Sequence, residues 1–138
     1  MPTPAPWLTG EREYEGFPLL LRHPAGLDYD LLPAKWLAVT HLLDRTLPNG
    51  LPEPDYNDTL ADFDDDVCRY LSTLDQGKIV LIETFGHQRS YYAYCASDVS
   101  LETVKEYFAN RYPNFRLEYF EKNDPNAAFI RKYAAELF

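Results

Sequence analysis

The stretch Gly77–Ala96, GKIVLIETFGHQRSYYAYCA, constrains this chain more than any other. Ile79 to Phe85 is a β-branched and aromatic run, Gly86-His87-Gln88 supplies a turn, and Ser90 to Cys95 returns, so the stretch reads as a β-hairpin. Side chains alternate along a strand. Ile79, Leu81, Glu83 and Phe85 are therefore expected on one face, and Val80, Ile82 and Thr84 on the other. In the return arm Tyr91, Ala93 and Cys95 alternate with Ser90, Tyr92 and Tyr94. Both faces are largely apolar or aromatic, which calls for helices over at least one side of the sheet. Gly86 can take the positive φ that a tight hairpin turn needs.

The remaining elements assemble around this hairpin. Met1–Pro6 is proline-rich and is expected to be poorly ordered. Phe17 to Arg22 reads as a strand closed by His23-Pro24-Ala25-Gly26. Lys35 to Leu43 reads as a second, with Leu37, Val39 and His41 alternating with Trp36, Ala38, Thr40 and Leu42. A helix is expected from Pro54 to near Gly77, because Leu60, Phe63, Val67, Tyr70, Leu71 and Leu74 recur at helical spacing. Asp62, Asp65, Asp66 and Arg69 then fall on its outer side, with Asp65 and Arg69 able to pair one turn apart. Asp98 or Ser100 caps a helix that turns Leu101, Val104, Tyr107 and Phe108 inward. Asn114 to Phe120 is a last strand, and Asp124-Pro125 opens a closing helix that buries Phe129, Ile130, Tyr133 and Leu137.

The expected order is β-β-α-β-β-α-β-α, an α+β fold. Its middle follows the split βαβ pattern of ferredoxin-like sheets, with helices packed on one face, an extra N-terminal strand and a C-terminal helix. The 138 residues suit a single domain spanning 1–138, and no repeat or long linker divides them.

Charge and motifs exclude several functions. The net charge of −9 opposes binding to a phosphate backbone. The aromatic pattern of RNA-stacking sheets also fails at Arg89–Ala96: Ser90 stands where a glycine belongs, and Ala93 and Ala96 stand where aromatics belong. No run of about 18 apolar residues is present to span a membrane, and MPTPAPWLTGERE lacks the basic and apolar regions of a secretory signal. Cys68 and Cys95 form no CxxC pair or zinc pattern and read as small apolar residues in a reducing, cytoplasmic compartment. The acids of Asp62–Asp66, DFDDD, lie within a helix and lack the alternation and glycine of a calcium loop, so they read as a solvated face. His23, His41 and His87 share no helix turn, and His41 reads as a hydrogen-bonded strand residue. No nucleophile elbow or phosphate-binding loop occurs. Neither a catalytic residue nor a cofactor or metal site is nominated.

Several segments, taken in order, resemble the bacterial domain of unknown function 695. They are Tyr14–Arg22 (YEGFPLLLR), Asn49–Pro52 (NGLP) before the acidic helix, Glu83–Tyr94 (ETFGHQRSYYAY), and Asn123–Pro125 before a closing aromatic helix. The chain departs from the family pattern at Ala128 and Phe129, where a tryptophan is usual. The resemblance implies an α+β sandwich without an assigned activity. It also implies similarity to the regulator of ribonuclease activity B family, small acidic proteins that bind and restrain an RNA-degrading enzyme.

Two functional readings follow. In the first the chain is a non-enzymatic module that docks on a basic protein surface through Asp62, Asp65 and Asp66, with Tyr92 and Tyr94 from the hairpin. In the second the chain is a small-molecule binder or an enzyme that uses a cleft between the sheet and the N-terminal segment, with His41 and Arg89 as its polar groups. The oligomeric state is left open.

Overall fold

The computed structural model describes residues 7–137, so the expectation for residues 1–6 and the side chain of Leu137 lie outside the described residues. The strands are β1 (Trp7–Tyr14), β2 (Phe17–Pro24), β3 (Lys35–Leu42), β4 (Lys78–Phe85), β5 (Gln88–Cys95) and β6 (Arg116–Asn123). The helices are α1 (Pro54–Thr59), α2 (Ala61–Thr73), α3 (Leu101–Arg111) and α4 (Ala128–Leu137). All six strands join one antiparallel sheet in the order β1-β2-β4-β5-β3-β6.

The hairpin forms where expected. Its turn is Gly86-His87, both at positive φ (61° and 70°), and Phe85 pairs with Gln88 across it. The expected alternation holds in β5 and β3: Tyr91, Ala93, Cys95, Leu37 and Val39 all enter one core cluster. It fails in β4. A bulge at Val80 shifts the register between Ile79 and Leu81. Ile79 and Ile82 thus face one core, while the consecutive Val80 and Leu81 both face the other.

That second core corrects the expectation that the helices pack on one face. α2 and α3 cover the first face through Phe63, Val67, Leu71, Val104 and Phe108. Helix α4 lies on the opposite face, where Ile130, Phe129 and Tyr133 meet Leu21, Leu81, Trp36 and Tyr92. Asp124 directs the chain there. Its carboxylate accepts from the Ala128 and Phe129 backbone N–H groups at 3.1 and 3.0 Å and from the Tyr94 hydroxyl at 2.5 Å.

Three boundaries also differ from expectation. The N-terminal extension is two strands, because β1 pairs with β2 along its whole length. β1 is exposed at nearly every position, so it carries no apolar alternation to mark it. The long acidic helix is two helices, α1 and α2, broken where the Leu60 N–H closes a tighter turn onto the Asn57 carbonyl. It ends at Thr73, short of Gly77. Between the two caps anticipated for α3, Ser100 is the one used.

Gly77 sets the entry into β4. A Cβ there would lie 2.2 Å from the Leu71 carbonyl oxygen and 3.0 Å from that of Leu74. At Gly16, in the β1–β2 turn, a Cβ would meet nothing within 4 Å, and only its φ of +86° opposes substitution. Gly77→Ala is therefore expected to cost well over about 2 kcal/mol, and Gly16→Ala about 1 kcal/mol. Urea denaturation of the two variants measures the difference.

Candidate functional site

On the α2 face the sheet extends past its helices at β2 and β1 and leaves a cleft of about 820 Å³. Its floor is built by Leu20 and Arg22 of β2, Ile82 and Thr84 of β4 and Arg89 of β5. Pairing puts these side by side: Leu20 is opposite Thr84, and Arg22 is opposite Ile82. Asn57 and Asp58 of α1 with Asp64 and Asp65 of α2 form one wall, and Glu11 of β1 belongs to the other.

The two floor arginines differ in their company. Arg22 grips Asp64 with both terminal nitrogens, at 3.1 and 2.5 Å, and Asp64 also accepts from the buried Tyr91 hydroxyl at 2.9 Å. Burial works against the Arg22 charge, but the bond and charge of Asp64 outweigh it and raise its pKa. Arg89 is 8% exposed, and its partners are neutral: Nε donates to Thr84 Oγ1 at 2.8 Å and Nη2 to Asn57 Oδ1 at 2.9 Å. Among the described residues Arg89 has no carboxylate within 4.0 Å, and its Nη1 has no hydrogen-bond acceptor. A buried guanidinium with only neutral ties is an anchor for an anion.

His41 sits directly across from Arg89 in the β3–β5 ladder but does not reach the cleft. Its ring stacks on Phe115 at 4.8 Å and meets the edge of Phe63 at 5.1 Å. It is 1% exposed, and neither ring nitrogen has a hydrogen-bond partner among the described residues, contrary to the reading of a hydrogen-bonded residue. Burial lowers its pKa to about 4. Asp44 opposes that shift, while Arg89 and Arg116 add to it.

The docking residues also separate. Asp62 and Asp65 are exposed. Asp66 is buried and cannot contribute to an outer surface, because α3 crosses over it. It accepts from Tyr107 Oη at 2.9 Å, Tyr112 Oη at 2.7 Å, Arg111 Nε at 3.0 Å and the Arg69 guanidinium. Burial opposes its charge, and these four donors overcome it, holding the pKa at about 2. Arg69 therefore pairs with Asp66 and not with Asp65. Tyr94 is fully buried against α4, and Tyr92 is half-buried beside Trp36 and Phe129 on that same face, away from α2. Asp64 and Asn57 are site residues that sequence reading missed. Only the packing of α1 and α2 over β2 and β5 brings them to the arginines.

The thiols are poorly placed for nucleophilic chemistry. Burial, aided by Asp64, pushes Cys68 up to about 12, and burial pushes Cys95 up to about 11. Among the described residues no group of three or more His, Cys, Asp or Glu side chains is arranged to hold a metal ion. No described helix is long and apolar enough to cross a membrane.

His41 and Asp66 give acid unfolding two separate limbs. The unfolded chain binds a proton at His41 near pH 6.5 while the folded chain resists it until about 4, so stability is full above 6.5 and falls as pH drops through that window. Asp66 contributes stability above its ordinary value of 3.8 that is lost as pH falls toward about 2. A melting-temperature profile should lose its pH 6.5–4 limb in His41→Leu relative to the parent. In Asp66→Asn the limb below 3.8 should flatten.

Compared with known proteins, the chain matches no family profile, no curated protein and no solved structure.

Proposed function

We propose that this chain is a non-catalytic binding module whose ligand seats in the cleft between the β1–β2 hairpin and α1–α2, held by Arg89. The observation that carries this reading is the Arg89 guanidinium: buried, lining a cleft, and bonded only to Thr84 and Asn57. The cleft volume lies within the range of small-molecule sites. Protonated thiols and a sealed His41 favour binding over catalysis. Free Cys68 and Cys95 suit a reducing, cytoplasmic setting. We read β3–α2–β4–β5–α3–β6 as a ferredoxin-like split βαβ core. The inner strand order β4-β5-β3-β6, with α2 and α3 over one face, supports that reading.

A second reading keeps the protein-docking module and its kinship with the regulator of ribonuclease activity B family. It rests on Asp55, Asp58, Asp62 and Asp65, which are all exposed and have no ion-pair partner among the described residues. Asp66 and Tyr94 leave that surface, since both are internal.

A thermal-shift screen of carboxylates, phosphate esters, amino acids and amines tests the first reading. A ligand at a hundred times its Kd adds about 2.7 kcal/mol, a shift of several degrees. At least one compound should stabilise the parent chain and leave Arg89→Met unmoved. No such compound, or shifts that persist in Arg89→Met, would refute the cleft. For the second reading, Asp62→Lys with Asp65→Lys should abolish salt-sensitive capture of a basic partner protein without lowering the melting temperature. Capture that survives the double change removes that surface.

A further inference from the structure

We infer that the cleft takes an amphoteric small molecule, with a carboxylate seated on Arg89 and an ammonium group held at the mouth by Glu11, Asp58 and Asp65. The inference rests on the cleft being the ligand site. It follows from how charge is distributed along the walls.

Of the two floor guanidiniums, Arg22 is already neutralised by the bidentate grip of Asp64. Arg89 alone keeps a positive charge with no carboxylate partner among the described residues, and it is buried in the cleft lining. Glu11 of β1, Asp58 of α1 and Asp65 of α2 also line the cleft. All three are exposed, and none is in an ion pair among the described residues. The cleft thus has one free positive charge inside and three free negative charges outside.

A simple anion or a phosphate ester reaching Arg89 must pass those three carboxylates, on a chain of net charge −9. Their repulsion weakens its binding. A simple amine finds the mouth but leaves Arg89 without a counter-charge. A molecule with one negative and one positive end answers both. Leu20, Leu60 and Ile82 also line the cleft and suit a methylene or other apolar span. The attraction at the exposed mouth is screened by salt, while the contact at buried Arg89 is screened much less.

Isothermal titration at low salt with 6-aminohexanoate and its shorter and longer homologues, against hexanoate and hexylamine, tests this. At least one ω-amino acid should bind about tenfold or more tightly than the matched monofunctional acid and amine, the factor given by 1.4 kcal/mol. Arg89→Met should abolish that binding. Asp58→Asn with Asp65→Asn, both at exposed positions that leave the fold intact, should bring the amino acid down to the level of hexanoate without weakening hexanoate. Should hexanoate bind as tightly as the amino acids and lose that binding in Arg89→Met, the amphoteric ligand is wrong and the Arg89 cleft stands. Should no probe bind, or should hexylamine alone bind and Arg89→Met not affect it, the inference is overturned. The cleft itself falls only if the broader screen also yields no Arg89-dependent compound.

Discussion

Tyr91, Ala93 and Cys95 leave β5 on one side of the sheet and Tyr92 and Tyr94 on the other, and of these five only Tyr92 keeps appreciable exposure. A strand buried on both sides requires two covers, and the positions of the helices follow from that. The helices between β3 and β4 and between β5 and β6 supply the first cover. They leave none for the face of Val80, Leu81 and Tyr94, so the second cover comes from Leu27, Tyr29 and Leu32 after β2 and from the residues that follow β6. The bulge at Val80 serves the same demand by turning two consecutive apolar side chains toward α4.

Tyrosine hydroxyls make this packing compatible with an acidic composition. Tyr91 donates to Asp64, Tyr107 and Tyr112 to Asp66, Tyr94 to Asp124 and Tyr133 to Glu83. Each hydroxyl satisfies a carboxylate oxygen without adding charge, and its ring fills the adjacent core. Burial together with the neighbouring carboxylate keeps Tyr91, Tyr94 and Tyr133 protonated well past the ordinary phenol range and raises the Tyr112 pKa as well. Several of the 22 acidic residues therefore act inside the fold as structural acceptors, and the outward negative field comes from others such as Asp58, Asp62 and Asp65.

The parts legible in the sequence are those governed by local periodicity. The faces of β3 and β5 followed from alternation, and the inward side of α2 followed from the spacing of Phe63, Val67 and Leu71. What was hidden depends on neighbours distant in the chain. β1 is an edge strand with little to bury, so its residues resemble a loop. The Val80 bulge breaks the alternation from which the faces of β4 were read. Helical periodicity put Asp66 outside, because one helix alone does not reveal that α3 crosses there with two tyrosines and an arginine. The cleft reading of the sequence takes Arg89 together with His41 as its polar groups. The two are true ladder neighbours, yet Phe63 and Phe115 close over His41 while Arg89 turns toward open space.

The placement of α4 sets an order of events during synthesis. Domains are built from the N-terminus forward, at about 5–20 residues each second. By the time β5 has left the ribosome, the apolar side of Val80, Leu81 and Tyr94 exists, but Ala127, Ile130 and Tyr133 do not. The nascent sheet therefore carries a partly wet hydrophobic face until residues 124–133 emerge, and a ribosome that stalls before Asp124 releases a chain that lacks the α4 cover. Such a fragment is a substrate for chaperones and proteases.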